Sequence, residues 1–187
     1  MRLFVGIPLA AEVITELSAV TMRLQSNNDG LRWSPPDLWH ITLQFLGNTG
    51  AEQFKCVVEQ LRKLHLPPVP IKLELLDLFD RAGIFFVGVR LTPGLLSLQE
   101  HVCTATSLCA FVPETRPYRP HVTLARSRGK GPGQAFHALK SRIHHQPTFT
   151  RFTADAFLLY ESLPAPTGSQ YEIRERFLLD GGSRAGS

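Results

Sequence analysis

The chain carries one four-residue pattern, histidine–apolar–threonine–leucine, twice, at positions 40–43 and 121–124. Side chains alternate between the two faces of a strand, so histidine and threonine share one face in each copy. Each copy therefore predicts a strand that presents an imidazole beside a hydroxyl, with apolar residues packed behind it. Two such strands facing each other would hold two imidazoles and two hydroxyls around one small, oxygen-rich group.

The spacing of apolar residues predicts the element order β-α-β-α-β-β-α-β-(α)-β-β. Helices are expected over 11–25, 51–64 and 94–111, with a weaker one over 135–145. Strands are expected over 2–7, 31–34, 40–46, 71–79, 84–91, 120–126, 149–159 and 171–179, with a loop over 163–170. Each motif strand follows a helix-bearing segment. We therefore predict an α+β fold of two pseudo-symmetric lobes, each an antiparallel-rich sheet with outer helices, around a central cleft.

Composition limits the classes of protein that this chain can belong to. It has 187 residues, 43% of them hydrophobic, which fits one bilobal domain over 1–180 followed by a disordered Gly/Ser-rich tail over 181–187. The formal net charge of +4 is compatible with an anionic partner. No apolar run reaches the roughly 20 residues of a membrane span, and Pro8 interrupts the opening segment too early for a signal peptide. We expect a cytoplasmic protein without membrane contact.

The three cysteines, at positions 56, 103 and 109, form no Cys-x-x-Cys pair. An odd count without such spacing argues against a disulfide framework or a zinc site. We expect all three to be small, buried or half-buried apolar residues.

Two imidazoles suit acid–base chemistry near neutral pH, because one can take a proton from water while the other gives a proton to a departing oxygen. Two threonine hydroxyls beside them can donate to phosphate oxygens and stabilise charge in the transition state. This set favours in-line phosphoester cleavage without a metal or cofactor. A metal site would need a third ligand, but the remaining histidines are scattered, at positions 65, 101, 137, 144 and 145. The other alternative, two accidental His-x-Thr pairs, is weakened by the repeat of Leu and of the surrounding strand pattern.

Four stretches of the chain resemble the two-histidine phosphoesterase superfamily, and within it the RNA 2′,3′-cyclic phosphodiesterases, also called 2′-5′ RNA ligase-like or LigT/ThpR-like proteins. The stretches are the opening strand (1–8), the surroundings of the first motif (32–47), those of the second (119–126) and a closing hairpin (161–172). The resemblance covers nearly the whole chain. It implies an enzyme that opens the 2′,3′-cyclic phosphate end of RNA to a 2′-phosphate, and the family name implies reversible 2′-5′ ligation. We expect the protein to be a monomer.

The resemblance also implies roles for single residues. His40 would be the proton donor to the leaving oxygen, and His121 the proton acceptor that activates water. Thr42 and Thr123 would bind the phosphate, and Arg126 matches a basic position that the family places near the substrate. Arg126 has the opposite strand parity to His121, so it reaches the cleft only if the strand ends or bulges there. Many relatives carry a basic residue where this chain has Gln44, which implies that one contact to RNA is missing.

Further residues are candidates for substrate contact. Trp33, Trp39 and Phe45 could stack a terminal base, although core packing is the alternative for Trp39 and Phe45. The basic segment 126–130, at the start of a flexible 127–134 loop, could contact the RNA backbone or be a solvated loop. Two other functions stay open: cleavage of a small cyclic nucleotide by the same mechanism, and RNA-end binding without turnover.

Overall fold

The computed structural model describes residues 1–27, 29–128, 133–143, 145–165 and 168–181. Its helices are α1 (Ala11–Leu24), α2 (Ala51–Arg62), α3 (Pro93–Ser107) and α4 (Gly133–Arg142). Its strands are β1 (Arg2–Pro8), β2 (Leu31–Trp33), β3 (His40–Asn48), β4 (Val69–Ile71), β5 (Leu73–Phe79), β6 (Ile84–Val89), β7 (His121–Ser127), β8 (Phe152–Ala154), β9 (Ala156–Ala165) and β10 (Gly168–Leu178). The four predicted helices are confirmed in their predicted order among the strands. The strand prediction is wrong in part, because 71–79 is divided between β4 and β5, and 149–159 between β8 and β9.

The two motif strands belong to different antiparallel sheets. The first sheet has the order β10-β9-β1-β3 and the second the order β2-β7-β6-β5, while β4 and β8 form a two-stranded ribbon. The first motif therefore lies on the edge strand of one sheet, and the second on an inner strand of the other. The α+β fold of antiparallel sheets with helices is confirmed.

One hydrophobic cluster runs behind both sheets and under the helices. Leu17 of α1, Leu61 of α2 and Leu98 of α3 are at most 1% exposed within it. The residues that follow the two motif histidines, Ile41 and Val122, are fully buried in the same cluster. Burying a side chain of this kind stabilises the fold by about 1.5–3 kcal/mol, so the cores behind the histidines fix both motif strands. We infer from the shared cluster that 1–180 form one domain.

The loop predicted over 163–170 is wrong in part, because β9 and β10 continue through most of it. Their pairing extends from Ala156↔Leu178 to Ala165↔Gly168. Pro164 lies in this stretch and cannot donate to a ladder, which favours a loop on sequence grounds. However, β1 pairs with β9 only as far as Glu161. Beyond Glu161 no described strand pairs with β9 on that side, so Pro164 is not required to donate a hydrogen bond there. The predicted tail lies outside the described residues except for Gly181.

The expectation of three unpaired cysteines is also wrong. Cys56 on α2 forms a disulfide with Cys109, just beyond α3, where packing of the two helices brings their Cα atoms to 5.8 Å. Cys103 alone is a free thiol and is buried, as predicted. An odd cysteine count does not exclude one pair, and the pairing depends on helix packing that spacing in the sequence does not reveal. Cross-linking residues 53 positions apart stabilises a fold by about 4 kcal/mol in the chain-entropy model.

In the described part of the chain, no helix combines the length and apolar character that crossing a membrane requires.

Candidate active site

The two motif histidines are held by the same backbone contact. Nδ1 of His40 lies 2.8 Å from the carbonyl oxygen of Leu38, and Nδ1 of His121 lies 2.7 Å from that of Arg119. A carbonyl can only accept, so Nδ1 carries the hydrogen in both rings. In the neutral state this leaves Nε2 of each imidazole with a free lone pair. The backbone two residues upstream therefore fixes the same tautomer at both sites.

Each motif threonine follows its histidine onto the same face, as the strand pattern predicts. The Thr42 hydroxyl lies 3.0 Å from Nε2 of His40 and donates to it when that nitrogen is unprotonated. Thr123 is half-buried, and its hydroxyl makes no hydrogen bond to the residues that the structure describes. Both hydroxyls are thus able to donate to an incoming group. Thr42 would give up its hydrogen bond to Nε2 of His40 in order to do so.

Aromatic side chains surround the His40 ring on the first sheet. The ring centroids of Phe4, Tyr171 and Tyr160 lie 4.6, 5.3 and 5.7 Å from that of His40. They come from β1, β10 and β9, the strands that complete the sheet beyond β3. This wall limits the motion of the imidazole and removes much of the water around it.

The His121 ring has its own aromatic wall on the second sheet. Phe79 and Phe86 approach it edge to face at 5.0 and 5.3 Å, and they stack on each other at 4.0 Å. The guanidinium of Arg119 lies 5.0 Å from the centroid of the Phe79 ring. Both histidines are therefore positioned by a backbone carbonyl on one side and by aromatic rings on the other.

A β-bulge in β3 changes the faces of Gln44 and Phe45, which follow the first motif. Val5 pairs with Gln44, but Gly6 pairs with Thr42, so β3 holds one extra residue between them. The bulge turns Gln44 into the core, where it is 7% exposed and accepts a 2.6 Å hydrogen bond from Thr106 of α3. Position 44 therefore does not face the cleft, and the expected missing contact to RNA at Gln44 stays a prediction.

An equivalent bulge follows the second motif. Phe85 pairs with Ala125 and Phe86 with Thr123, so Ala125 turns into the core and is fully buried. Arg126 is consequently brought onto the same face as His121. The alternation of side chains along β7 requires such a bulge if Arg126 is to reach the cleft. The bulges also give Phe45 and Arg126 equivalent places, each five residues after its histidine.

Burial depresses the pKa of both histidines. The pKa of His40 is lowered to about 4, first by desolvation and then by the charges of His121 and Arg126, against the opposing hydrogen bond to Leu38. The pKa of His121 is lowered by desolvation and by the charges of Arg126 and Arg119, against its bond to the Arg119 carbonyl. Both rings are neutral at pH 7 in the free protein. The mutual effects show that His40, His121 and Arg126 converge on one cleft, although they come from two sheets.

Tyr171 completes this cleft and was not among the predicted residues. Burial raises its pKa, while the charges of Arg126, Arg2 and Arg32 lower it in opposition. Arg126 belongs to the other sheet and its charge acts on Tyr171, while the Tyr171 ring and the His40 ring meet edge to face. The sequence held no signal for this role, because Tyr171 lies far from both motifs along the chain.

The three aromatic residues predicted to contact substrate lie in different environments. Trp39 is 5% exposed and packs in the core, which confirms the alternative interpretation of this residue. Trp33 packs against the same core and donates to Asp29 through its ring nitrogen at 2.8 Å. Phe45 is 71% exposed and lies 6.0 Å from Phe4. The core interpretation of Phe45 is therefore wrong, and its ring is free to contact a ligand.

The basic segment after β7 is described only as far as Arg128. Its Nε donates to the carbonyl of Leu31 at 3.0 Å, which anchors that side chain to β2. Lys130 lies outside the described residues, as do 129–132 within the predicted flexible loop. Among the residues with described positions, no three His, Cys, Asp or Glu side chains gather in a way that could hold a metal ion.

Comparison with known proteins finds related sequences and solved structures with the same fold. The model of the LigT-like phosphoesterase family matches residues 7–86, which include the first motif. The RNA 2′,3′-cyclic phosphodiesterase of Thermotoga maritima is 27% identical over 187 residues and that of Archaeoglobus fulgidus 26% over 175, with at least 92% of each chain covered. Two solved structures share the fold. E. coli LigT with 3′-AMP superposes with a TM-score of 0.78 at 24% identity, over 95% of this chain and 97% of that one. TT0787 of Thermus thermophilus superposes with a TM-score of 0.80 at 24% identity, over 97% of this chain and 100% of that one. The chain is therefore similar to the LigT-like phosphoesterases over residues 7–86, and to RNA 2′,3′-cyclic phosphodiesterases over nearly its full length.

Proposed function

We propose that this phosphoesterase opens the 2′,3′-cyclic phosphate end of RNA to a 2′-phosphate by acid–base catalysis between His40 and His121, without a metal. The observation that carries the proposal is the matched pair of imidazoles, each fixed through Nδ1 with Nε2 left for proton transfer. The relatives named as RNA 2′,3′-cyclic phosphodiesterases support the choice of substrate, because they match the chain over nearly its full length.

In this mechanism His121 takes a proton from water through Nε2, and the water oxygen bonds to phosphorus. The bond from phosphorus to the ribose 3′-oxygen breaks in line, and His40 gives that oxygen its proton. Thr42, Thr123 and Arg126 donate to the non-bridging oxygens, where negative charge grows in the transition state. Proton transfer at each histidine contributes about 10²–10⁴-fold to the rate.

The donor role of His40 requires a protonated ring, whereas its pKa of about 4 keeps it neutral in the free protein. A bound phosphodiester brings a negative charge next to the imidazole and screens it from Arg126. An opposite charge at that distance raises the pKa of a histidine. Substrate binding therefore favours the protonation state that the reaction needs, so the acid forms mainly in the complex.

The exposed Phe45 ring supports an RNA end rather than a bare small phosphate as the ligand. It lies on the cleft face five residues after His40, beside Phe4, and can stack on the terminal base. Stacking on an aromatic side chain is worth about 1–3 kcal/mol per base and tolerates any base identity. We accordingly propose a cyclic-phosphate end of any sequence as the substrate.

We also propose that the protein acts as a monomer in the cytoplasm. Both motif histidines, both threonines and Arg126 come from one chain, so the site needs no partner subunit. The Cys56–Cys109 disulfide is unusual for that compartment. Trapping of free thiols in lysed cells, followed by mass spectrometry, would give its redox state, and size-exclusion chromatography with light scattering would give the oligomeric state.

The test of the function is hydrolysis of an RNA oligomer that ends in a 2′,3′-cyclic phosphate. We expect wild-type protein to convert it, while His40→Ala and His121→Ala each lose at least about 10²-fold in turnover. Circular dichroism and melting temperature would establish that both variants are folded. Arg116→Ala is a suitable control, since Arg116 is exposed and pairs only with nearby Glu114 among the described residues.

A further inference from the structure

Two arginines lie side by side on the cleft face of the second sheet. Arg32 of β2 is directly opposite Arg126 of β7 in an unbroken antiparallel register. Residues paired in this way project to the same side of a sheet, with Cβ atoms about 4.5–5.5 Å apart. Burial alternates accordingly along β2, since Leu31 is 2% exposed and Trp33 packs against the core, while Arg32 is exposed. Arg32 therefore shares the cleft face of Arg126.

A third arginine, Arg2, lies across the cleft on the first sheet. It precedes Phe4 by two residues on β1, and Phe4 packs on the first motif histidine, so Arg2 also takes the cleft face. Burial raises the pKa of Tyr171, and the charges of all three arginines lower it in opposition. The three guanidinium groups therefore lie within electrostatic reach of one phenol, although they come from two sheets.

This basic cluster has no countercharge in the described part of the chain. Neither Arg2 nor Arg32 forms an ion pair or a side-chain hydrogen bond with the residues that the structure describes. Burial lowers the pKa of Arg126, and the like charge of Arg32 lowers it further. Like charges directly opposite each other destabilise a sheet. An anion between them would remove that repulsion, so the arrangement indicates an anionic ligand.

The reacting phosphate does not need all of this charge. A cyclic phosphodiester carries one negative charge, and Thr42, Thr123 and Arg126 already donate to its non-bridging oxygens in the proposed mechanism. Arg32 lies one strand further out, on the edge strand β2, about 4.8 Å beyond β7. A second anionic group on that side of the substrate would meet Arg32. In RNA the nearest such group is the phosphodiester on the 5′-oxygen of the terminal nucleotide.

We propose that Arg32 and Arg2 bind the internucleotide phosphate that precedes the cyclic end of the RNA. The inference rests on the proposed function and specifies its substrate class, an RNA strand of at least two nucleotides rather than a cyclic mononucleotide. The two guanidinium groups donate to the non-bridging oxygens of that phosphate from the two walls of the cleft. A phosphate contact carries no base preference, so it suits cyclic ends of any sequence.

The subsite is tested by calorimetric binding of two dinucleotides of adenosine that end in a 2′-phosphate, the product of the proposed reaction. One has the natural internucleotide phosphodiester, and the other has a methylphosphonate there, which has nearly the same shape and no charge. We expect wild-type protein to bind the natural dinucleotide roughly 10- to 150-fold more tightly, the range of a hydrogen bond to a charged group. Equal affinities in wild-type protein would overturn the proposal.

Arginine variants show whether these side chains cause the preference. Arg32→Ala and Arg2→Ala should each lower the affinity ratio of the two ligands, and the double variant should bring it close to one. Arg32→Met keeps the apolar stem without the charge and decides the question if the alanine variant fails to fold. Arg116→Ala removes an exposed arginine that pairs with Glu114 at 2.8 Å, and it should keep the wild-type ratio.

Two results with the variants would contradict the subsite. One is a folded double variant that still prefers the natural dinucleotide. The other is equal weakening of both ligands by Arg32→Ala, which would place Arg32 at the terminal phosphate instead. Hydrolysis of a cyclic-phosphate end by the same wild-type preparation is measured in parallel. Its absence would refute the proposed function, whereas the affinity ratio alone decides the subsite.

Discussion

The hydroxyl of Tyr118 donates a 2.9 Å hydrogen bond to the backbone carbonyl of Thr42. Tyr118 precedes the second motif by three residues, and Thr42 belongs to the first. The bond therefore joins the segment leading into β7 directly to β3, across the boundary between the two sheets. Burial raises the pKa of the Tyr118 phenol, so it stays a donor throughout the working pH range. This contact therefore connects the two motif strands close to both histidines.

Removing that bond tests whether the connection matters for turnover. We expect Tyr118→Phe to lose about 0.5–1.5 kcal/mol of stability, plus the effect of an unpaired carbonyl. Because the bond connects the two motif strands, we expect kcat for cyclic-phosphate hydrolysis to fall by roughly tenfold. Urea unfolding and steady-state kinetics on the same preparation measure both quantities. A stability loss with unchanged kcat would show that the bond serves folding alone.

The roles of the two histidines can be told apart with a leaving group that needs no proton. Thymidine 3′-(4-nitrophenyl phosphate) releases a stable phenolate, so loss of the acid should matter little. We expect His40→Ala to retain far more activity on this ester than on the RNA cyclic phosphate, while His121→Ala is impaired on both. Release of nitrophenolate is followed by its absorbance. The reverse pattern would exchange the acid and base assignments.

The depressed pKa of His40 predicts acid sensitivity of the fold. Between its ordinary pKa of 6.5 and its folded value of about 4, the unfolded chain binds a proton that the folded chain does not. Stability is therefore unaffected above that window and falls as the pH drops through it, by up to about 3 kcal/mol. Urea unfolding at pH 7 and pH 4.5 measures the loss. His40→Gln, which cannot titrate, should show a smaller loss; equal losses would contradict the depressed pKa.

The motif hydroxyls are tested by their nearly isosteric replacement. We expect Thr42→Val and Thr123→Val each to lose roughly 1.5–3 kcal/mol of transition-state binding, about 10- to 150-fold in kcat/KM. Valine favours strands, so melting temperatures should change little. Thr42→Val also removes the donor to Nε2 of His40, so its pH profile should shift while that of Thr123→Val does not. Normal kinetics in both variants would remove the threonines from the site.

Local pattern predicted the two motif strands, the α+β class and the convergence of the histidines, because alternation along a strand is set by the backbone itself. It did not predict the bulges, which turn Gln44 inward and Arg126 outward, since they arise from pairing with β1 and β6. From the alternation of side chains alone, we could say only that Arg126 reaches the cleft if the strand ends or bulges before it. The catalytic and binding roles of these residues stay predictions.

Contacts between distant segments account for the rest of what the sequence did not reveal. The Cys56–Cys109 disulfide and the bond from Tyr118 to Thr42 join residues 53 and 76 positions apart. Tyr171 reaches His40 only because β10 pairs with β9, and β9 with β1. Such contacts depend on how elements pack, which the periodicity of one segment does not encode. The core interpretation of Phe45 fails for a related reason, because the bulge before it reverses its face.

The central claim is metal-independent opening of a 2′,3′-cyclic phosphate by His40 and His121. Its most direct test is incubation of an RNA oligomer bearing that end with wild-type protein in the presence of EDTA, followed by chromatographic identification of the product isomer. We predict full turnover to the 2′-phosphate, with loss of the product in folded His40→Ala and His121→Ala. A requirement for added divalent metal, or a 3′-phosphate as the product, would contradict this account.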